Sequence, residues 1–186
     1  MRVIAGTARR LKLVTPEGMN TRPTSDQIKE TLFNMLMPYI YDDTRFLDLF
    51  AGSGQIGIEA LSRGAEYACF CDNDRRAVEC IHENIETTKF VDKTKVIAGD
   101  CLSALRQLRG DKFDIVFMDP PYDMGIESDV LECLIAGQLL AEDALVVIEA
   151  KIGRNFNFVK ELGFDIIKEK EYKTSKHIMI KRNENR

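Results

Sequence analysis

Short apolar runs alternate with segments of helical periodicity along most of the chain, from residue 45 onward. A short apolar run is typical of a buried strand, whereas apolar residues three or four positions apart form one face of a helix. Repeated strand–helix units predict a mainly parallel sheet with helices on both faces. The predicted strands are residues 46–50, 67–71, 94–98, 113–118, 144–150, 164–170 and 176–181, and the predicted helices between them are residues 54–64, 73–87, 101–108, 128–137 and 154–162.

The last two predicted strands are separated only by residues 171–175. A parallel crossover needs about a dozen residues or more, so we expect these two strands to be antiparallel neighbours. The predicted fold class is therefore α/β, with a Rossmann-like, seven-stranded, mostly parallel sheet that ends in an antiparallel strand pair.

The residues before this alternation have a pattern of their own. Apolar residues alternate loosely over residues 1–15 around Gly6-Thr7-Ala8, which predicts two short strands in a hairpin. Thr24 and Gln27 have capping-box spacing and predict the start of a helix that ends near Pro38. We therefore expect a short basic N-terminal extension, residues 1–24, followed by one α/β domain, residues 25–186.

Composition excludes several classes of protein. The 186 residues fit one domain, and no apolar run approaches the roughly 18 residues of a membrane span. The N-terminus has no signal-peptide pattern. Two histidines and the absence of paired Cys-x-x-Cys spacing argue against a metal site, and unpaired thiols indicate a reducing, cytoplasmic location. The cysteines are Cys69, Cys71, Cys80, Cys101 and Cys133.

The net charge of −4 conceals basic ends on an acidic body. Residues 1–24 and residues 168–186 each carry a net charge of +4, so residues 25–167 carry −12. Basic ends suit a polyanionic partner such as RNA, although they are also compatible with simple solvation. The candidate RNA-binding residues are Arg2, Arg9, Arg10, Lys12 and Arg22.

A glycine-rich loop follows the first sheet strand. Gly52, Gly54 and Gly57 match G-x-G-x-x-G, and Asp72 lies twenty residues beyond Gly52, which also fits the dinucleotide fingerprint of oxidoreductases. Asp48 separates the two interpretations. A carboxylate before the glycines would repel a pyrophosphate, but it suits S-adenosylmethionine, whose sulfonium and ammonium groups are cationic.

The remaining cofactor candidates follow the next two strands. Asp72 is placed to accept hydrogen bonds from both ribose hydroxyls, with a helix N-cap as the alternative, and Asp74 is interpreted as a first-turn charge. Asp100 is placed to accept from adenine N6 with the N–H of Cys101 near N1, and an N-cap role for Asp100 is weighted equally. Phe50 and Asn73, which adjoin these groups, complete the predicted cofactor site.

Asp119-Pro120-Pro121-Tyr122 ends the fourth strand. The prolines stiffen the turn and remove two backbone donors. Asp119 and the carbonyl of Pro120 can accept from an exocyclic amine, and Tyr122 can stack on the base that carries it. The alternative is a tight turn that closes the strand. We predict that Asp119, Pro120 and Tyr122 are catalytic, and that Asp119 also borders the cofactor.

These motifs together resemble the RsmD family. The resemblance rests on residues 2–6, 9–11, 22–24, 30–34 and 48–54 and on Asp119-Pro120-Pro121-Tyr122, so it covers nearly the whole chain. The family often has Phe at the position of Tyr122 and Glu at the position of Asp72.

The resemblance implies a class I methyltransferase sheet and S-adenosylmethionine as donor, with S-adenosylhomocysteine as product and no metal. It also implies the exocyclic N2 of guanine 966 in 16S rRNA as target, within the small ribosomal subunit or an assembly intermediate. We expect a cytoplasmic monomer. The alternatives are a DNA or RNA adenine-N6 methyltransferase and a non-catalytic RNA-binding factor of ribosome assembly.

Overall fold

A seven-stranded mixed sheet forms the centre of the molecule in the computed structural model, which describes residues 1–16, 25–121 and 124–183. The strands are β1 (Arg45–Leu49), β2 (Tyr67–Asp72), β3 (Thr94–Ala98), β4 (Phe113–Met118), β5 (Leu140–Lys151), β6 (Phe164–Glu171) and β7 (Ser175–Arg182). Their order in the sheet is β3-β2-β1-β4-β5-β7-β6. β1 to β5 are parallel and β7 is antiparallel to both β5 and β6, as predicted.

Helices cover both faces of the sheet. They are α1 (Asp26–Leu36), α2 (Gln55–Ser62), α3 (Arg75–Thr88), α4 (Cys101–Gln107), α5 (Glu127–Ala136) and α6 (Phe158–Glu161). One buried apolar cluster, which we call the α1-side cluster, joins one face of the sheet to α1, α2 and α3. A second cluster joins the other face to α4, α5 and α6.

Several predicted boundaries are wrong, and three of them change an element or its cap. α6 spans only four residues instead of residues 154–162. The chain before it forms turns, because the Asn155 side chain accepts from the N–H of Asn157 and Gly153 has a φ of 84°. β5 begins at Leu140, which pairs with Phe113 ahead of an irregularity in the ladder. α1 is capped by Ser25, whose hydroxyl accepts from the N–H of Ile28 at 3.2 Å, and Thr24 lies outside the described residues.

The N-terminal segment is a hairpin with minimal pairing. A single antiparallel bridge joins Arg2 to Lys12, in place of the two regular strands predicted. The turn between them contains Gly6 and Arg10, both with positive φ. A Cβ on Gly6 would lie 1.7 Å from the carbonyl oxygen of Ser62, so glycine is required where the segment meets α2.

A buried ionic cluster holds this segment against α2. Glu59 accepts from the N–H groups of Ile4 and Ala5 at 2.8 and 2.9 Å and pairs with Arg63 at 2.9 Å. Lys29, which is fully buried, lies 3.8 Å from Glu59 and donates to the carbonyl of Arg2 at 2.7 Å. The apolar side chains that the segment contributes to the α1-side cluster are Val3, Ala8 and Leu13.

Candidate cofactor and substrate site

The strand order reverses between β1 and β4, so the chain continues towards β2 on one side and towards β5 on the other. In open α/β sheets, ligands bind outside the carboxyl ends of the strands at such a reversal. Leu49 at the end of β1 pairs with Met118 at the end of β4. The glycine loop after β1 and Asp119 after β4 therefore lie side by side at this end of the sheet.

The glycine loop folds over the buried carboxylate of Asp48. Asp48 is 1% exposed and accepts from the N–H of Gly57, in the first turn of α2, at 2.9 Å. Gly52 and Gly54 have φ values of 58° and 76°, which favour glycine. Gly57 has another role, because a Cβ there would lie 2.4 Å from the ring of Phe70. Two glycines therefore shape the loop, and the third permits close packing of helix on strand.

The charge of Asp48 is poorly compensated. Burial, opposed by the Gly57 hydrogen bond and reinforced by the charge of Asp72, raises the pKa of Asp48 to about 7. In the described part of the chain, no Lys or Arg forms an ion pair with Asp48, Asp72 or Asp119. A cationic ligand bound beside the glycine loop would stabilise the ionised carboxylate of Asp48.

Asp72 is positioned by two backbone donors. Its carboxylate accepts from the N–H of Gly52 at 2.7 Å and from the N–H of Asp74 at 2.9 Å. The N-cap of α3 is Asp74, which accepts from Arg76 N–H at 2.8 Å. The alternative role of Asp72 as an N-cap and the first-turn interpretation of Asp74 are thus both wrong, because the helix begins two residues later than predicted.

An open cleft lies at the carboxyl ends of β1, β2 and β3. It contains five of the residues predicted to bind the cofactor, together with Cys71 and Gly99. Met124 and Ile126 also line it, although nothing in the local sequence distinguishes them from ordinary loop residues. The predicted residues that it brings together are Phe50, Asp72, Asn73, Asp100 and Cys101.

Asp100 caps α4 and borders the cleft as well. It accepts from the N–H of Ser103 at 2.9 Å, and its hydrogen bonds with Ser103 lower its pKa. Cys101 beside it is buried, and burial together with the charge of Asp100 raises the thiol pKa to about 11. The N-cap role is observed, and adenine recognition by Asp100 stays a prediction.

Asp119 lies half-buried at the end of β4, in electrostatic contact with two other carboxylates. Burial, then the charge of Glu149, then that of Asp48 raise its pKa well above the ordinary value for aspartate. The Pro121 carbonyl accepts from Met124 N–H at 3.0 Å, whereas no hydrogen bond to the Pro120 carbonyl is found within the described ranges. Tyr122 lies outside the described residues. Asp119 and Pro120 thus directly follow the carboxyl end of β4, and their catalytic roles stay predictions.

Next to Asp119 is a buried hydrogen-bonded chain for which the sequence pattern offered little signal. His177 Nε2 lies 3.0 Å from Glu149 Oε2, and Tyr172 Oη lies 3.0 Å from His177 Nδ1. The available signals were weak. Glu149 interrupts the apolar run of β5, and His177 is one of only two histidines.

A model of the protein family described as "Conserved hypothetical protein 95" matches residues 1–181. The chain belongs to this family. It is the RsmD family, so the resemblance expected from the motifs is confirmed.

Named relatives of this RsmD-family chain are similar over most of their length. "Putative rRNA methyltransferase YlbH" of Bacillus subtilis is 41% identical over 151 residues, which is 80% of this chain and 82% of the relative. "Ribosomal RNA small subunit methyltransferase D" of Escherichia coli is 38% identical over 152 residues, which is 82% of this chain and 75% of the relative.

Solved structures agree with the fold. The structure of "Putative methyltransferase yhhF from Escherichia coli" matches with a TM-score of 0.87 at 34% identity and covers 98% of both chains. The structural neighbours are class I S-adenosylmethionine-dependent methyltransferases, which confirms the predicted fold class.

Four of the five basic residues predicted to bind RNA are exposed on the N-terminal segment of this RsmD-family chain. Arg2, Arg9, Arg10 and Lys12 are exposed, and Arg2 pairs with Asp26 at 3.0 Å. Arg22 lies outside the described residues. Their contact with RNA stays a prediction.

Within the described ranges there is no group of three or more His, Cys, Asp or Glu side chains arranged to hold a metal ion. None of the helices that the structure describes is long and apolar enough to cross a membrane.

Proposed function

We propose that this protein transfers a methyl group from S-adenosylmethionine to the exocyclic N2 of guanine 966 in 16S rRNA of the small ribosomal subunit. The observation that carries the proposal is the adjacency of Asp48 and Asp119 at the β1–β4 reversal, where the charge of Asp48 acts on Asp119. A buried carboxylate at a glycine loop suits a cationic methyl donor, and the adjoining carboxylate suits an amine acceptor. The rRNA methyltransferase names of relatives at 38% to 41% identity support the substrate class.

The residues present fit the donor. Asp48 is a buried carboxylate without a described Lys or Arg partner, so it favours a sulfonium or ammonium group. Asp72 would hold the ribose, and Phe50, Asn73, Asp100 and Cys101 would line the adenine side of the cleft. S-adenosylmethionine, when bound, supplies an electrophilic methyl carbon.

The chain itself contributes alignment and two hydrogen-bond acceptors. Asp119 and the Pro120 carbonyl would each accept one N–H of the guanine N2 amine, which turns the nitrogen lone pair towards the donor. The new N–C bond forms as the C–S bond breaks, and both electrons of that bond go to sulfur. Positive charge grows on the nitrogen, so both acceptors bind more tightly in the transition state. The nitrogen then loses one proton.

The deciding experiment is methyl transfer from tritiated S-adenosylmethionine to three substrates: small subunits that lack the modification, naked 16S rRNA, and duplex DNA. Mass spectrometry of the labelled product identifies the base and atom. We expect N2-methylguanosine at position 966 in one or both RNA substrates. N6-methyladenine in either nucleic acid would establish the alternative enzyme, and failure to bind S-adenosylmethionine in calorimetry would leave a non-catalytic RNA-binding protein.

A further inference from the structure

Asp119, Glu149 and His177 lie in one row across three neighbouring strands, and we call this the polar row. Met118 pairs with Ile148, which places the following residues, Asp119 and Glu149, side by side. Glu149 pairs directly with His177 on the next strand. The row therefore extends from the candidate amine-binding carboxylate away from the cofactor cleft.

The polar row faces the same side of the sheet as the α1-side cluster. Phe117, Val147 and Met179 belong to that cluster, and each lies two residues from a member of the row. Alternate residues of a strand point to the same face. The ring of Phe117 makes an edge contact with His177, with the ring centroids 6.1 Å apart.

Hydrogen bonds fix the orientation of the Glu149 carboxylate. Burial and the charge of Glu149 raise the pKa of Tyr172 to about 12, so its phenol keeps its proton and donates to His177 Nδ1. We assign the tautomer in which His177 Nδ1 accepts from Tyr172 and the Nε2–H donates to Glu149 Oε2. This contact occupies Oε2 of Glu149 and leaves its second oxygen, Oε1, as the acceptor available on the side of Asp119.

Two adjacent carboxylates are an unfavourable arrangement for stability alone. Burial and the charge of Glu149 raise the pKa of Asp119, so the ionised form of Asp119 is destabilised beside this neighbour. Groups perturbed in this way by burial and by a specific charged neighbour are concentrated at functional sites. A ligand that presents two neighbouring N–H donors to Asp119 and Glu149 would relieve the repulsion.

Guanine presents such a pair of donors. Its N1–H lies next to the N2 amine on one edge, whereas adenine carries a bare acceptor at N1. We propose that Glu149 is a specificity-determining residue that accepts the N1–H of the target guanine while Asp119 accepts from its N2 amine. This inference rests on the function proposed above. His177 and Tyr172 are positioning residues, which act through Glu149.

The base 2-aminopurine tests the assignment because it keeps the exocyclic amine and has an acceptor at N1. It would place its N1 lone pair against the Glu149 carboxylate. A site built to hydrogen-bond a substrate N–H rejects an analogue without it by about 10⁴- to 10⁵-fold when the discrimination is strong, and we expect at least ~100-fold here. The measurement is kcat/KM on small subunits reconstituted with 16S rRNA that carries guanosine or 2-aminopurine riboside at the target position.

Glu149→Gln should reverse much of this discrimination. The N–H of His177 holds the amide oxygen, so the amide NH₂ faces the base and donates to N1 of 2-aminopurine. We expect the guanine preference to fall to about tenfold or less, or to invert. Glu142→Gln is the matched control, because Glu142 is an exposed residue near the other end of β5. Tyr172→Phe should weaken the preference for guanine without changing the affinity for S-adenosylmethionine. The substitution removes the hydroxyl that donates to His177 Nδ1, so the histidine is no longer held in the tautomer that donates to Glu149.

The inference is overturned if the wild-type enzyme methylates both bases equally, or if folded Glu149→Gln keeps the wild-type preference. The wild-type comparison holds even if the variant does not fold. Absence of methylation of the guanosine substrate by the wild-type enzyme would overturn the proposed function as well, so the two failures are distinguishable.

Discussion

Individual residues of the site are placed at a cost in stability. Asp48 is enclosed at the end of β1 with one backbone donor, and its pKa is raised from 3.8 to about 7. The folded protein therefore binds a proton more tightly here than the unfolded chain does. Between about pH 4 and pH 7, the contribution of Asp48 to the free energy of unfolding therefore falls as pH rises. Above pH 7 the ionised Asp48 destabilises the folded state by its full amount.

Asp48→Asn should therefore stabilise the protein at pH 8, by up to about 4 kcal/mol. Asparagine keeps an oxygen for Gly57 N–H but carries no charge. The gain should disappear near pH 4, where Asp48 is protonated in both states. Urea denaturation at both pH values measures this, and calorimetry should show weaker S-adenosylmethionine binding. A variant that is less stable than the wild type at pH 8 would contradict the assignment.

We expect Asp119 to contribute more to the rate of methyl transfer than to the affinity for S-adenosylmethionine. Asp119→Ala should lower kcat by about 10²-fold or more, because it removes an acceptor that strengthens in the transition state. S-adenosylmethionine affinity, measured by calorimetry, should change little. Asp114→Ala, at the other end of β4, provides a stability control, since its carboxylate accepts from Arg45 N–H. Near-wild-type turnover of Asp119→Ala would refute the acceptor role.

At the scale of elements, the glycine loop and the N-terminal segment are joined. Asn84 on α3 donates to the carbonyls of both Val14 and Ser53 at 2.9 Å, and it accepts from Val14 N–H at 2.8 Å. Glu59 on α2 holds the start of the same segment. The N-terminal segment and the glycine loop are thus fixed on the same two helices.

Glu59→Gln should cost about 3–5 kcal/mol of unfolding free energy. The substitution leaves the buried Lys29 without its counter-charge and turns an NH₂ group towards the N–H donors of Ile4 and Ala5. Urea denaturation measures the loss. Glu66→Gln removes an exposed carboxylate after α2 and should change stability by no more than about 0.5 kcal/mol. A small effect of Glu59→Gln would show that the ionic cluster contributes little.

At the scale of the whole molecule, charge is separated. The body carries the carboxylates of the site, whereas the hairpin-like N-terminal segment exposes Arg9 and Arg10. Its apolar residues pack into the α1-side cluster, so the basic side chains are presented on an ordered base.

Replacing both Arg9 and Arg10 with Ala should weaken RNA binding and lower the slope of log K against log salt by about 1.4. Each arginine that contacts a phosphate releases counterions, so its loss reduces the salt dependence. Fluorescence anisotropy at several salt concentrations gives the slope. The matched control replaces Arg106 and Arg109, two exposed arginines on the opposite face of the sheet, with Ala. The salt slope of this control should equal that of the wild type. An unchanged slope for the Arg9 and Arg10 variant would place the RNA elsewhere.

The sequence by itself determined the α/β class of the fold, the position of the glycine loop and the carboxylates near the strand ends. These are local features, because a buried apolar run and the residues that end it are adjacent in the chain. The sequence alone also indicated Asp48, Asp72 and Asp119, since each lies at or next to the carboxyl end of a strand. Only the tertiary structure decided which aspartate caps which helix, because a cap depends on one or two dihedral angles. Only strand register could place Glu149 and His177 beside Asp119, since these residues lie about 30 or more positions away along the chain and meet through the pairing of three strands.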